Sequence, residues 1–338
     1  MEMTCNCHHH SKGIAKHLIY PSYCEVVLAV RKAKKTPLNS ISSIDDLNKL
    51  IEKTDPDYVR FMNSTWKAQE ADISIAAMER AVIAGNIDEV QIAVWREMYA
   101  DTINTKMAPL WEKAAEGGYL TVAEGLSNIG AAVEWEPIAK IMNKWSKRHA
   151  AKLVTQLSNQ QRLAVNHLIT HYTSVNPINP RAAAKLIRPL VGLTDRDAQT
   201  VAKSRDKIYS DLIKDGATNS RASAVADKRA ARYTSVMQNR RALNIAHTEQ
   251  AKVWNRGANE SINTMIKEER IVGKINKEWY TAVDERVCDI CGPLHGTVVA
   301  FDEIFETETG KETITTHTSD IPPIHNRCRC VLIYIHVQ

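Results

Sequence analysis

The stretch RASAVADKRAARYTSVMQNRRALNIAHTEQAKVWNRGANESINTMIK, residues 221–267, decides the fold class. It is rich in Ala, Arg and Lys and lies inside a proline-free run between Leu190 and Gly292. Proline stops helices most strongly, because it lacks the backbone N–H and clashes with the preceding turn. The run therefore predicts helix over Thr194–Lys214 and again over Asn219–Lys267, the second interrupted near Gly257.

Toward the N-terminus, Asn176-Pro177-Ile178-Asn179-Pro180 cannot continue a helix and reads as a domain boundary. Between Pro56 and Tyr172 apolar residues recur at helical spacing, with Ile73, Ala76, Ala77 and Met78 on one stripe and Ile138, Ile141, Met142 and Trp145 on another. Gly85-Asn86, Gly117-Gly118 and the neighbourhood of Pro137 read as breaks, which gives three or four helices. Thr54-Asp55-Pro56 reads as an N-cap followed by proline at the first helical position, with Asp45–Lys53 a short helix before it. Residues 1–55 read as an accessory region of partial order, with Cys5, Cys7 and His8 to His10 in a metal-attracting tail near its start.

After Gly273 the pattern changes. Trp279 to Val283, Thr297 to Val299 and Val331 to Val337 are β-branched and aromatic runs bounded by turn residues, so they read as strands, and 303–320 as an exposed loop or hairpin. The expectation is a mainly α chain: a helical N-terminal region followed by a small α+β C-terminal module with a Cys/His cluster. Its divisions are an accessory part over 1–55, a helical domain over 56–175 and the C-terminal module over 181–338.

Composition agrees with a folded chain of about two domains. Of 338 residues 44% are hydrophobic and 25% charged, and only three are Phe, so aliphatic residues must do most of the packing. No run of 18 apolar residues occurs, and Met1 to Lys12 lacks the apolar core of a signal peptide, so neither a membrane span nor secretion is expected. The net charge of +5 is unevenly placed, with 16 Lys/Arg against 7 Asp/Glu between Arg181 and Arg256. Arg221, Lys228, Arg229, Arg232, Arg240 and Arg241 are the candidate contacts to nucleic-acid phosphates; a solvated basic face or an acidic protein partner is the alternative.

The seven cysteines fall into two groups, and Cys288, Cys291, Cys328 and Cys330 form the second. Cys288-Asp289-Ile290-Cys291 places two thiols on one turn, and His325-Asn326-Arg327-Cys328-Arg329-Cys330 adds an imidazole and two more. Soft thiolates and neutral imidazole on two separate turns suit a closed, structural zinc site. The candidate ligands are Cys288, Cys291, His325, Cys328 and Cys330, with His295 as a substitute; disulfides or plain burial remain alternatives.

His247-Thr248-Glu249 followed by Cys288-x-x-Cys291 also mimics the His-x-Glu and Cys-x-x-Cys order of zinc nucleobase deaminases, which makes a zinc-dependent nucleic-acid or nucleobase hydrolase the competing function. Val287 stands where those enzymes have proline, and His247 lies in a helical pattern. No phosphate-binding loop, zincin or serine-hydrolase motif occurs. His149, His167 and His171 read as helix-surface or satisfied histidines.

The C-terminal third resembles the phage Mu protein F-like family of minor head, or head morphogenesis, proteins. The resemblance is carried by Ile245-Ala246-His247-Thr248-Glu249, Ala251, Asn255-Arg256-Gly257, Trp279, Asp284 to Cys291, Leu294-His295-Gly296 and Pro322 to Cys330. The family usually has Arg where His247 stands, which weakens the deaminase reading further. The resemblance implies no enzymatic step. It implies a minor capsid protein of a tailed phage or prophage, made in the host cytoplasm and carried in the virion at the capsid interior or portal vertex. The implied partners are the portal protein, the major capsid or scaffolding protein and packaged DNA.

Overall fold

Helix starts are set by side-chain oxygens that take up otherwise unpaired backbone N–H groups. Ser74 accepts from Ala77, Asp88 from Gln91, Asn179 from Arg181 and Ala182, Thr194 from Asp197 and Thr218 from Arg221. The computed structural model describes residues 34–282, 284, 287–310 and 314–338. Its helices are α1 (Ser43–Asp72), α2 (Ile75–Ala84), α3 (Glu89–Thr102), α4 (Ala108–Asn128), α5 (Trp135–Thr170), α6 (Pro180–Ile187), α7 (Asp195–Lys214) and α8 (Asn219–Lys267). The strands are β1 (Lys35–Pro37), β2 (Lys274–Tyr280), β3 (Val298–Ala300), β4 (Phe305–Thr309), β5 (Thr315–Ser319) and β6 (Val331–Val337). The chain is mainly α with a small C-terminal sheet, as its sequence predicts; Cys5, Cys7 and His8 to His10 lie outside the described residues.

α8 is the organising element. One large apolar core joins Tyr58, Met62 and Trp66 of α1, Trp111 and Val122 of α4, Leu153 and Leu157 of α5 and Ala246, Val253 and Ile262 of α8 to the sheet residues Trp279, Leu332 and Tyr334. A second core gathers Trp95, Leu168, Tyr172, Ile187, Leu193 and Val201. Asn176 to Asn179 does break the helical path, and the helices on its two sides share this second apolar layer.

Three local expectations need correction. Gly117 and Gly118 sit inside α4 and Gly257 inside an unbroken α8, because Gly118 and Gly257 permit close approach of two backbones and Gly117 leaves room for the Trp254 ring. A Cβ on Gly118 would lie 1.9 Å from the Trp254 carbonyl oxygen, and one on Gly257 2.1 Å from that of Ala115. Pro56 lies well inside α1: the carbonyl of Glu52 that it leaves without a helical partner is on the exposed face, where water can take it. Thr54 is accordingly no cap. Its hydroxyl reaches the Leu50 carbonyl at 2.9 Å and Gln250 Oε1 of α8 at 2.5 Å.

The sheet is antiparallel in the order β1-β6-β2-β3, with Trp279 opposite Leu332 and Tyr280 opposite Val331. β4 and β5 form a separate hairpin. Lys277 of β2 holds this hairpin's exit: its buried ammonium donates to the Asp320 carbonyl at 2.9 Å and lies over the rings of Phe301 and Phe305. The register places the ends of β2 and β6 beside the two cysteine-bearing turns.

Candidate metal centre

Both turns are built alike. In Cys288–Cys291 the Cys291 N–H donates to the Cys288 carbonyl at 3.1 Å, and in His325–Cys328 the Cys328 N–H donates to the His325 carbonyl at 3.3 Å. The second turn needs Arg327 at φ 62°, a left-handed conformation unusual for a residue with a side chain. Each turn thus presents two ligating side chains at i and i+3.

All five predicted ligands come together. Cys288 Sγ and Cys291 Sγ lie 3.0 and 3.1 Å from His325 Nε2, and Cys291 Sγ lies 3.8 Å from Cys328 Sγ. Cys288, Cys291 and His325 form one compact trio, and Cys291, Cys328 and Cys330 a second that shares the Cys291 sulfur. A zinc–sulfur bond of about 2.3 Å implies a sulfur–sulfur edge of about 3.8 Å in a tetrahedron, which the Cys291–Cys328 separation matches. The sulfur–nitrogen edges are shorter than the corresponding value of about 3.6 Å, so an ion would spread Cys288 and His325 slightly. His325 Nδ1 donates to the Asn326 carbonyl at 2.8 Å, which leaves Nε2, facing the sulfurs, as the ligating nitrogen. The donor set can therefore hold a metal ion.

Electrostatics single out one sulfur of the cluster. Cys291 and Cys330 donate to Cys328 and hold its thiol well below the usual range despite burial, while Cys291 itself is raised by its bonds to Cys328 and Cys330. The Cys328 thiolate in turn pushes His325 up to about 9. The cleft at the cluster measures about 30 Å³, room for one ion or water. A nucleobase pocket needs on the order of 300 Å³ or more.

The family described as phage Mu protein F like protein matches this part of the chain over residues 203–333, from within α7 to within β6. Those residues are similar to the phage Mu protein F-like family. Comparison with curated proteins and with solved structures gave no match.

Within the Mu F-like segment, the pieces that carry the resemblance meet around the two turns. Thr248 Oγ1 accepts the strained Arg327 N–H at 3.0 Å, and Asn255 Nδ2 donates to the Cys330 carbonyl at 3.1 Å. Arg329 donates to both carboxylate oxygens of Asp284, at 2.9 Å each, bracing one turn against the other. Trp279 is fully buried, edge-on to Phe305. Composition alone did not mark Thr248 or Asn255 as supports of the centre; their place in the motif was the only signal.

The structure removes the other candidates from the Mu F-like centre. His295 is not among the described metal-ligating groups: its Nδ1 lies 3.2 Å from the Thr281 backbone nitrogen. His247 Nε2 pairs with Asp55 at 2.8 Å, and Glu249 is bonded to His149 and to Lys252. Neither His247 nor Glu249 joins the cysteines, so the deaminase arrangement of His and two Cys ligands beside a catalytic Glu is not built. His149 stacks on Trp145, and His167 and His171 pair with Asp195 and Asp206.

Five of the six basic candidates, Arg221, Lys228, Arg229, Arg232 and Arg240, are exposed on α8, Arg240 in an ion pair with Asp197 at 2.5 Å. Arg241 must be struck from the set. It is 4% exposed, donates to the Gly192 carbonyl at 2.7 Å and to Gln160 at 2.9 Å, and lies over the Trp66 ring. Burial pulls its pKa down, and the helices around it leave no path to a phosphate.

Proposed function

We propose that the chain is a minor head protein of a tailed phage or prophage that acts in head morphogenesis, with a structural zinc ion stapling its C-terminal module. The family match over residues 203–333 carries this reading, and head morphogenesis is the role that the family implies. The closed donor set supports zinc in a structural role: four sulfurs and one imidazole crowd a cleft that admits an ion and no substrate. When bound, the ion would cross-link two turns separated in sequence; Asn326 orients the His325 ring, Thr248 fixes the second turn and Asn255 the segment that leaves it.

The finer reading is association with the portal vertex and capsid interior during procapsid assembly, alongside major capsid or scaffolding protein. The exposed basic face of α8, Arg221 to Arg232, supports contact with packaged DNA through phosphates. No helix among the described residues is long and apolar enough to cross a membrane, which is consistent with a virion component.

The test is co-expression with the portal, scaffolding and major capsid proteins of the same phage. The chain should co-sediment with procapsids only when portal protein is present, and should be found in purified virions. Absence from both particles would overturn the reading.

A further inference from the structure

The geometry points to Cys288, Cys291, His325 and Cys328 as the four metal ligands and to Cys330 as a fifth thiol that stays out of the coordination shell and positions Cys328. This rests on the metal reading above and assigns what that reading leaves open, since five donors compete for four places.

Three observations separate Cys330 from the rest. The four chosen residues occupy the first and last places of two turns with identical spacing and the same closing backbone bond, so each turn delivers its pair in one direction. Cys330 lies beyond the second turn, immediately before β6, where its carbonyl is fixed by Asn255 Nδ2. Its backbone N–H is bonded to Cys328, the support that a ligating thiolate receives from the residue two places on.

Cys328 links the two trios as the structure stands. Its sulfur packs with Cys291 and Cys330 and is already within hydrogen-bond reach of His325. The Cys330 thiol then fills the core side of the site, buried to 4% exposure, and excludes water behind Cys291 and Cys328. The resulting set of three thiolates and one imidazole is closed, with no place for a bound water.

The experiment loads the full chain with zinc, and separately with cobalt, and compares Cys330→Ser and Cys330→Val with Cys288→Ser, Cys328→Ser and His325→Ala. Metal content, the visible cobalt spectrum and thermal melting are recorded for each. The expected result is one ion per chain in wild type and in both Cys330 variants, with sulfur-to-cobalt bands of the three-thiolate intensity in all three. The other three variants should lose the ion. Loss of the ion from a folded Cys330 variant, or a four-thiolate spectrum in wild type with the ion retained in His325→Ala, would overturn the assignment. A folded wild-type chain that takes no ion would overturn it together with the metal reading, and leaves the virion test of the head-protein reading unaffected.

Discussion

Thr248 Oγ1 accepts the backbone N–H of Arg327 at 3.0 Å, joining the middle of α8 to the left-handed corner of the second turn across 79 residues of chain. The long helix therefore does more than pack: it sets the conformation that aims His325 and Cys328. Thr248→Val keeps the shape and removes the acceptor. Melting should report a loss of about 1 kcal/mol, and zinc affinity in a chelator competition should fall roughly tenfold. Unchanged affinity would mean that Arg327 holds its conformation unaided.

Backbone contact between α4 and α8 makes Gly257 intolerant of any side chain. Gly257→Ala places a methyl 2.1 Å from the Ala115 carbonyl, so the helices must separate, at a cost of about 1–3 kcal/mol or more. Gly85→Ala, at a helix end with open space around it and φ 83°, should cost about 1 kcal/mol from backbone strain alone. Denaturant melts of the two variants should rank in that order.

Acid should act through Glu249. Burial would raise its pKa, but the hydrogen bond and charge of His149, with Lys252 beside it, hold it below its ordinary value of 4.5. The folded state thus binds this proton less readily than the unfolded chain. The associated stability is present above about pH 4.5 and is lost as pH falls through the folded value. Glu249→Gln should be less stable than wild type at neutral pH, by about 1–3 kcal/mol, and should lose less on acidification. Parallel pH profiles would assign the acid sensitivity elsewhere.

Removing zinc should loosen the C-terminal module first. A chelator should lower the melting temperature of the loaded chain and expose the Cys288 and Cys291 thiols to alkylation, with both effects reversed by adding zinc back. No shift on chelation would exclude a structural ion.

Nucleic-acid contact predicts a division among the arginines. Replacing Arg221, Lys228, Arg229 and Arg232 together with Ala should leave folding intact and reduce the salt slope of duplex DNA binding by about 3 to 4. Arg241→Ala should instead destabilise the fold, because it leaves the Gly192 carbonyl and Gln160 without their donor. Equal slopes before and after the fourfold substitution would remove α8 as the DNA face.

Much of this fold is legible in the sequence where one physical signal has one meaning. Asn176 to Pro180 can only turn, β-branched runs such as Val331 to Val337 pair as strands, and cysteines three apart on a turn converge. The errors fall where one signal serves two ends. Gly85 ends a helix, whereas Gly117, Gly118 and Gly257 let two helices touch, and composition does not distinguish a glycine that frees the chain from one that admits a neighbour. Arg240 and Arg241 are adjacent in a basic run, but their side chains point 100° apart on α8, one to solvent and one to Trp66. Ligand choice among five donors is not readable in the sequence, because it depends on how the two turns bring their side chains together.

The pairing of β1 with β6 bears on how the chain is made. Asn39 donates to the Leu332 carbonyl across 293 residues, so β1 waits for β6 to be synthesised before its edge is satisfied. The helices can gather while synthesis continues, but the sheet and the turns that flank it close last, after β6 leaves the ribosome. Until then a strand edge and four reduced thiols stay open to other chains, and timely zinc capture would favour completion over aggregation.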